Sequence, residues 1–519
     1  MNIRNVVLSV LLLAFARTTP AATTWYVATN GNDAAAGTSW AAAKRTIQAA
    51  IDLAASNDTV LVSNGVYATG GRVADESTLT NRVVVDRPIT VRSVNGPANT
   101  VIKGAGPMGD DAVRCAYVGT NAVLSGFTLT NGATRTNGFA FLDQMGGGAW
   151  CDEDGVLTNC TLTGNAAADS CGGAFAGTLN NCLLSGNTAS NWGGGASFST
   201  LNNCLLSGNT ASNWGGGAAY STLNNCTLTG NSASFGGGVD SGTLTNCILS
   251  GNSAADGGGG ADSSTLNNCI LSGNTATNFG GGADGSTLTN CIVYFNSSPH
   301  NPNYFDSTFA FSCTTPDPGG MGNITNDPQF VDAAVSNFHL RASSPCIDRG
   351  TNLYEQGTTD LDGNPRIVNG CVDMGAYEYQ GAEPTPSNYW GWAAAITNGL
   401  TNYADCATGD GYPNLLKYAT GGSATVPDGL ARLEPGLANG LFQVRFNRNA
   451  HATDITVVVE SSFAVTNGAK WRGIATNFLG SWGGASNVAE NGSDTPVVVT
   501  VSELGPATNG YMRLRVTRP

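Results

Sequence analysis

The chain has 519 residues, of which 12% are charged and 41% are hydrophobic, with 70 glycines and a formal net charge of −14. The hydrophobic share is too high, and the charge too thinly spread, for a disordered chain. No basic patch is present to neutralise phosphates, which excludes nucleic acid as a partner.

The first residues have the layout of a secretory signal peptide. Arg4 is followed by an apolar run from Val6 to Ala16 and then by small residues. Because this run is too short to cross a membrane, residues 1–22 are predicted to be a signal peptide. No later stretch reaches about 18 apolar residues. The mature chain is therefore predicted to have no transmembrane segment and to be secreted, extracellular or placed on the outer surface of a bacterium.

Residues 23–104 are predicted to form an N-terminal cap and the first coils of a repetitive fold. Ile47, Ala50, Ile51 and Ala54 follow one another at helical spacing. A helix here would cover the open end of a solenoid, whose terminal strands expose unpaired edges. Through WYVATNGND, GTS, TIQAAID and DTVLVSNGVY, the stretch resembles the opening of extracellular right-handed β-helix proteins, which include polysaccharide lyases.

A repeat of 22 residues dominates residues 105–326. TLNNCLLSGNTASNWGGGA runs from Thr178 to Ala196 and returns unchanged from Thr200 to Ala218. Eight cysteines mark the period at intervals of 22, 22, 22, 21, 22, 22 and 22 residues: Cys160, Cys182, Cys204, Cys226, Cys247, Cys269, Cys291 and Cys313. A fixed period with Gly- and Asn-rich turns and alternating apolar positions predicts a solenoid of short strands.

At a rise of about 3.3 Å per residue, 22 residues trace a perimeter of about 70 Å, which fits three short strands and their turns. Successive coils would stack as parallel strands about 4.8 Å apart. The predicted fold is all-β: a right-handed parallel β-helix with an N-terminal helical cap, followed by a small C-terminal β-sandwich. Between Gly146 and Asn296 the repeats are similar to those of polymorphic outer membrane proteins, in which GGA and NCxFxGN recur, with Leu here in place of Phe.

The stacked cysteines have two interpretations. A buried ladder of reduced thiols, used as small apolar residues, is favoured. The alternative is a disulfide framework, which is common in exported proteins and which the coil spacing would permit. The asparagine before each cysteine is predicted to take a left-handed backbone at a bend. A second column is predicted to form a ladder: Asn187, Asn209, Asn231, Asn252 and Asn274.

Residues 327–380 are predicted to close the β-helix, and residues 381–388 (GAEPTPSN) are predicted to be a linker. The motifs SPCIDRG, DLDGNPR and VDMGAYE follow one another in the closing segment. They make it similar to the choice-of-anchor Q domain, a closing segment of bacterial β-helix surface proteins. That resemblance implies export and surface display, and it implies no reaction.

Residues 389–422 resemble the DxDxDGxPNLLEYALG calcium motif found near the ends of exported bacterial proteins. Cys406, Thr408 and Lys417 replace three ligands of that loop, so Asp410 and Asn414 are weak metal candidates. A structural turn with a short helix is the favoured interpretation. No cofactor is predicted, and calcium is the only ion that the motif implies. Residues 423–519 alternate in strand fashion, as in FQVRFNR and ITVVVESS, and predict the β-sandwich.

Three aspartates are predicted to stand in one outward column, about 5 Å apart, directly after the alanine or valine that follows the glycines. They are Asp240, Asp262 and Asp284. Like charges this close require a shared proton or cation. The column is thus interpreted as a solvated acidic stripe, as a site for calcium or sugar hydroxyls, or as a carboxylate pair for glycoside hydrolysis.

An aromatic column is predicted directly before the glycines, at Trp192, Trp214, Phe235 and Phe279, with Gly257 interrupting it. These rings would either pack on one another at a turn or form a platform for sugar rings. The first three join the aspartates as candidate ligand-binding residues.

No catalytic residue is assigned, because no HExxH, GxSxG or phosphate-binding loop is present. The lyases that the N-terminal stretch resembles use a Lys or Arg base, and the only crude candidates are Lys103 and Arg114, near Asp110 and Asp111. The sequence predicts an exported protein that acts by display, adhesion or glycan binding without catalysis, with a polysaccharide or cell-surface glycan as partner. The alternative is a polysaccharide lyase or glycoside hydrolase that acts on an extracellular polysaccharide.

Overall fold

The computed structural model describes residues 22–354 and 357–381 and, farther along the chain, seven strands between residues 434 and 517. Almost all of the predicted signal peptide and linker, and all of residues 389–422, lie outside these residues. The chain divides into two compact units. The first comprises the described residues up to Pro328 together with Pro345–Glu378, and the second comprises Gln329–Ser344 and the residues from Tyr379 onward.

The first unit is a parallel β-helix, as the repeat predicted. Within the described residues it has four sheets, and each full coil passes through sheets A, B, D and C in turn. Sheet A has twelve strands: Thr24–Val27, Thr59–Val62, Thr90–Ser93, Val123–Ser125, Val156–Thr158, Thr178–Asn180, Thr200–Asn202, Thr222–Asn224, Thr243–Thr245, Thr265–Asn267, Thr287–Thr289 and Thr308–Ala310. Sheet B has eleven strands: Gly65–Tyr67, Thr100–Lys103, Thr128–Thr130, Thr161–Thr163, Leu183–Ser185, Leu205–Ser207, Thr227–Thr229, Ile248–Ser250, Ile270–Ser272, Ile292–Tyr294 and Cys313–Thr314.

Sheet C also has eleven strands, and all of its pairings are parallel except that of the first strand, which is antiparallel to the second. These strands are Arg72–Val73, Thr80–Val85, Val113–Val118, Ala149–Cys151, Ala174–Phe175, Ala196–Ser197, Ala218–Ala219, Val239–Asp240, Ala261–Asp262, Ala283–Asp284 and Tyr304–Phe305. Sheet D is shorter and has six strands: Ala166–Ala167, Thr188–Ala189, Thr210–Ala211, Ser232–Phe235, Ser253–Gly257 and Thr275–Ala276.

Short helices lie outside the sheets. The α-helices are Ile47–Ile51 and Ala140–Asp143, and the 3₁₀ helices are Trp40–Ala42, Ala333–Val335 and Asn352–Tyr354. The helix from Ile47 to Ile51 is capped by the hydroxyl of Thr46, which accepts a hydrogen bond from the backbone N–H of Ala49. Its residues Ile47, Ala50 and Ile51 are buried in the core of the β-helix. No helix of the described residues is long and apolar enough to cross a membrane.

The second unit contains an antiparallel pair, Phe330–Asp332 with Asn337–Leu340. Farther along the chain, strands form two antiparallel sheets. One sheet has the order Glu434–Ala438, Leu441–Arg448, Val497–Ser502 and Val488–Asn491, and the other has the order Arg472–Phe478, Thr456–Ser462 and Tyr511–Thr517. The β-sandwich over residues 423–519 stays a prediction.

The corner between sheets A and B depends on asparagine. Asn181, Asn203 and Asn225 have φ angles of 53°, 54° and 53°, in the left-handed region that asparagine tolerates better than most residues. The next residue is the cysteine, whose side chain is directed into the core beside a column of buried leucines. The bend thus lets the chain turn without losing the in-register pairing of the strands on either side.

The predicted second asparagine column lies between sheets B and D and is buried. Asn187 Nδ2 donates to Asn209 Oδ1 at 2.9 Å and to the carbonyl of Leu162 at 2.9 Å, and the backbone N–H of Asn187 donates to the same Asn209 Oδ1 at 3.1 Å. Asn209 repeats these bonds with Asn231 and Leu184. Each side chain is both donor and acceptor, so the ladder satisfies the buried polar groups of this corner.

The glycine run between sheets D and C lets neighbouring coils touch through their backbones. A Cβ on Gly194 would lie 2.5 Å from the carbonyl oxygen of Gly216, and one on Gly195 would lie 2.4 Å from that of Gly217. Any side chain here would push the coils apart.

The cysteine column is a ladder of free thiols. The N–H of Cys182 donates to Cys204 Sγ at 3.4 Å, and the bond repeats from coil to coil up to Cys291. No cysteine of the described residues forms a disulfide. Burial raises the pKa of Cys247 and Cys269, which keeps these thiols protonated and unreactive.

Cys313 is the exception, and its predicted place in the ladder is wrong. It pairs with Ile292 in sheet B, while Ser312 occupies the ladder position and its Oγ accepts from the N–H of Cys291 at 3.0 Å. The last coil has 21 residues, since Thr287 pairs with Thr308, so a count of 22 from Cys291 overshoots by one.

The closing segment of the first unit packs on the outside of sheet B. A Cβ on Gly375 would lie 2.9 Å from Ile292 Cδ1 and 3.1 Å from Ile270 Cγ1. Asn290 fixes this segment by donating from Nδ2 to the carbonyl of Thr351 and by accepting from the N–H of Thr351 at Oδ1. One outer face of the late coils is therefore covered.

We expect Asn209→Ala to lower the free energy of unfolding by roughly 3 kcal/mol, because it leaves several buried donors and acceptors without partners at about 1–3 kcal/mol each. The matched control is Asn202→Ala, whose amide donates to Asn180 Oδ1 on the outer, half-buried side of sheet A. Urea unfolding measures both. Equal losses in the two variants would contradict a special role for the buried ladder.

Candidate functional site

The predicted aspartate column exists on the outer side of sheet C. Asp240 pairs with Asp262, and Asp262 pairs with Asp284, all in register. Adjacent strands place such residues about 4.8 Å apart. We call these three residues the acidic column. The next residue of the same column is Phe305, which the sequence reasoning missed because the repeat is irregular after Asn296.

Burial and mutual repulsion keep protons on the acidic column. Asp240 is buried, which raises its pKa, and Asp262 and Asp284 are partly buried. Burial, reinforced by the charge of Asp240, raises the pKa of Asp262 to about 7 even though Ser263 Oγ donates to its Oδ2 at 3.0 Å. Burial, with the charge of Asp262, raises the pKa of Asp284 to about 6. A hydrogen bond between the carboxyl groups of Asp240 and Asp262 requires a proton on one of them.

Gly257 makes room for the last carboxylate. It stands in the aromatic column, where neighbouring coils have Phe235 and Phe279. A Cβ at Gly257 would lie 2.3 Å from Asp284 Oδ2. The carboxylate of Asp284 thus occupies space that a side chain at position 257 would take.

The predicted aromatic column is present, but its rings do not lie face to face. Trp192 pairs with Trp214, and Trp214 with Phe235. The ring centroids of Trp192 and Trp214 are 6.3 Å apart with an interplanar angle of 58°. These rings form no flat platform. They tilt towards a second group of rings on the neighbouring corner.

Phe198 and Tyr220 form that second group, which sequence reasoning missed. Their rings stack with centroids 5.2 Å apart and an angle of 7°, and Trp192 packs edge-on to Tyr220 at 5.5 Å. Phe198 and Tyr220 are exposed and have φ angles of 55° and 48°. The signal in the sequence was a bulky residue at a corner where other coils have Ser241, Ser263 and Gly285.

A third group of rings begins in the coil of Asp284 and continues into the next coil. Phe279 and Phe305 stack with centroids 4.7 Å apart and an angle of 27°, and both are exposed. The ring of His300 lies 5.8 Å from that of Phe279. We call Trp192, Phe198, Trp214 and Tyr220 the first aromatic cluster, and Phe279, His300 and Phe305 the second. The acidic column lies between them on the same face.

The earlier part of this face is covered. Trp150 and Phe175 are buried, Phe141 packs edge-on against Phe175 at 4.9 Å, and Trp150 Nε1 donates to the carbonyl of Phe141 at 3.0 Å. The short helix Ala140–Asp143, which carries Phe141, therefore covers the face at Trp150 and Phe175, and open aromatic surface begins at the first aromatic cluster.

The residues considered as a lyase base and its neighbouring acids do not form one catalytic group. Arg114 is buried and donates to the carbonyls of Gly146 and Met145 and to Asn81 Oδ1, and burial lowers its pKa to about 9. Asp110 is paired with Arg135 instead. Arg114 therefore anchors a loop, which corrects its reading as a catalytic base.

A carboxylate cluster that was not predicted lies in the closing segment. Oxygens of Asp348, Asp373 and Glu378 lie within 4.8 Å of one another. Asp373 Oδ1 accepts from the N–H of Asp348 and Glu378 Oε2 from the N–H of Asp373, while Arg366 Nη1 lies 3.7 Å from Glu378 Oε2. Backbone N–H groups and the buried guanidinium of Arg366 already contact these oxygens. The cluster therefore fits a structural role better than the binding of a cation. Asp410 and Asn414 lie outside the described residues.

No protein-family model and no curated protein matches the chain. Several solved structures resemble it. A pectate lyase, Pel9A, aligns with 69% of this chain and 96% of its own length at 16% identity and a TM-score of 0.43. A rhamnogalacturonan lyase aligns with 67% and 95% at 12% identity and a TM-score of 0.36. Pectin methylesterase PemA from Erwinia chrysanthemi aligns with 57% and 79% at 11% identity and a TM-score of 0.22. Similarities this low say nothing about activity.

Asp262→Asn should make the variant progressively more stable than the wild type as pH rises. The folded wild type keeps a proton on Asp262 up to about pH 7, whereas an ordinary aspartate has a pKa of 3.8. Between pH 3.8 and about 7, the folded state binds more protons at Asp262 than the unfolded state does. The contribution of Asp262 to the free energy of unfolding of the wild type therefore falls as the pH rises through this interval. Urea unfolding at about pH 4, 5.5 and 7 measures the difference. Asp317→Asn, at an exposed aspartate, is the control, and a difference that shrinks with pH would contradict the raised pKa.

Proposed function

We propose that the outer face of sheet C binds a glycan, and that the protein acts by display or adhesion at a cell surface or outside the cell, without catalysis. The observation that carries this proposal is the acidic column in register between two exposed aromatic clusters. Carboxylates accept hydrogen bonds from sugar hydroxyls, and exposed aromatic rings pack against the apolar faces of sugar rings. A few convergent polar groups among aromatic side chains are typical of ligand sites.

Small side chains between the two aromatic clusters support the proposal. At the corner position that follows each strand of sheet C, Tyr220 is succeeded by Ser241, Ser263 and Gly285. At this corner position the bulky rings therefore end at the coil where the carboxylates begin, while Phe235 of the aromatic column lies in the coil of Asp240. A ligand lying along this face would meet a ring at each end and carboxylates in between.

The backbone of the first aromatic cluster also supports a functional role. Phe198 and Tyr220 hold left-handed φ angles, which cost bulky residues roughly 1–2 kcal/mol each. In other coils serine or glycine occupies the same corner position, with a smaller conformational energy for the left-handed backbone. Phe295 has a similar exposure and a similar φ on another corner, so the strain supports a ligand role for Phe198 and Tyr220 only together with their stacking next to the acidic column.

Glycoside hydrolysis is a second candidate, favoured by the proton that the acidic column retains. Retaining glycosidases use a protonated and an ionised carboxyl group about 5 Å apart, and the raised pKa of Asp262 next to Asp240 suits the acid. A lyase has less support, because the described sheet C strands from Ala149–Cys151 to Tyr304–Phe305 carry no Lys or Arg. Hydrolysis is tested by the release of reducing ends and by its loss in Asp262→Asn.

Export and surface attachment are part of the proposal. The predicted signal peptide supports export, and the similarity of the repeats to polymorphic outer membrane proteins and of the closing motifs to the choice-of-anchor Q domain supports display. Fractionation of producing cells tests this, with the protein expected outside the cytoplasm.

Two substitutions test glycan binding. We expect Tyr220→Ala and Asp262→Asn each to weaken binding about tenfold in a glycan array followed by calorimetry, since a contact of about 1.4 kcal/mol is lost. Phe295→Ala is the matched aromatic control, because Phe295 is also exposed and has a φ of 62° but follows sheet B. Asp317→Asn is the acidic control. The absence of any glycan ligand, or equal losses in variants and controls, would refute the proposal.

A further inference from the structure

The coils that build this face contain no basic side chain apart from histidine. Between Arg135 and Arg341 the chain has neither lysine nor arginine. This interval includes every sheet C strand from Ala149–Cys151 to Tyr304–Phe305. Among the described residues, the imidazole on this face is that of His300, beside Phe279. The described part of the face therefore offers no lysine or arginine to pair with an acidic sugar.

The aspartates themselves would repel an acidic ligand. Within the described residues, none of the salt bridges involves Asp240, Asp262 or Asp284. A carboxylate placed about 4 Å from an ionised aspartate is repelled by about 1 kcal/mol in water and by about 4 kcal/mol near a protein surface. The acidic column retains part of its protons at neutral pH, so this cost applies to those of its carboxyl groups that are ionised.

The hydrogen-bonding capacity of the site favours a ligand that donates. The ionised carboxyl oxygens of the acidic column accept hydrogen bonds, the proton between Asp240 and Asp262 is held within the column, and the hydroxyl of Ser263 already donates to Asp262. Sugar hydroxyls donate hydrogen bonds and carry no charge. The ring faces of the two aromatic clusters match the C–H faces of uncharged pyranoses.

We propose that the ligand of this face is an uncharged glycan that lies along the axis of the β-helix. This inference rests on the proposed function. The coils of Tyr220 and Phe305 are four steps apart, or about 19 Å at about 4.8 Å per coil. This length suits an extended oligosaccharide, which would contact one aromatic cluster at each end and donate its hydroxyl groups to the acidic column.

The test compares hexasaccharides of three charge classes by calorimetry on the full chain. The uncharged arm contains cellohexaose, xylohexaose and N-acetylglucosamine hexamer, the acidic arm galacturonic acid hexamer with and without calcium, and the basic arm glucosamine hexamer. We expect binding in the uncharged arm, with a Kd that changes less than twofold between about 50 and about 500 mM salt, since screening acts on charges. Asp262→Asn should weaken that binding about tenfold, and Asp317→Asn should leave it unchanged.

Binding of the galacturonic acid hexamer, with or without calcium, would overturn the inference while leaving glycan binding in place. Binding of the glucosamine hexamer alone, with a Kd that rises steeply with salt, would overturn it in favour of a basic glycan. Failure of all three arms would refute the proposed function together with the inference. Far-ultraviolet circular dichroism on each variant confirms that the β-helix is folded.

Discussion

The in-register stacking of one coil on the next, about 4.8 Å apart, is the constraint on which the rest of this structure depends. Every residue of the repeat lies beside its own equivalent in the neighbouring coils. A side chain is therefore selected for how well it interacts with a copy of itself. Asparagine satisfies this condition because its amide both donates and accepts, as the bond from Asn187 to Asn209 shows. Glycine satisfies it at positions such as Gly194, where the backbones of adjacent coils touch.

A charged side chain does not interact favourably with a copy of itself, since like charges in adjacent coils repel. This explains why lysine and arginine are absent from the central coils and why Thr, Asn and Ser supply most of the outer polar surface. The acidic column breaks the rule in three consecutive coils, and its proton is the physical consequence. Phe198 and Tyr220 break a second rule by placing bulky side chains at left-handed corners. Local rules are most often broken where a protein has a function. The acidic column, Phe198 and Tyr220 lie on one face, and only Phe295, at the corner after sheet B, repeats the second departure as an exposed aromatic residue among the described residues.

The in-register stacking also determined which structural features could be predicted from the sequence. Columns that repeat with a strict period were predicted together with their conformations, because a left-handed bend at asparagine and an inward leucine follow from local chemistry. Cys313 was misplaced because the last coil is one residue shorter, which only the pairing of Thr287 with Thr308 reveals. Phe198 and Tyr220 were missed because they depart from the repeat. The covering of sheet B was also missed, although a change of its outward residues from Leu183 and Leu205 to Ile248 and Ile270 signalled it.

In-register stacking is tested by distances between spin labels on the outside of sheet A. Cysteines introduced at Thr178 and at Thr222, Thr265 or Thr308 would be labelled in the native protein after Cys371, which is partly exposed, and Cys406 have been replaced by serine; the ladder thiols are buried. Stacked coils should give separations that grow linearly, to about 10, 19 and 29 Å for two, four and six coils. Double electron–electron resonance measures the two longer separations, and dipolar broadening of the continuous-wave spectrum measures the shortest. Separations that do not grow with the number of repeats would contradict the stacking and every column inferred from it.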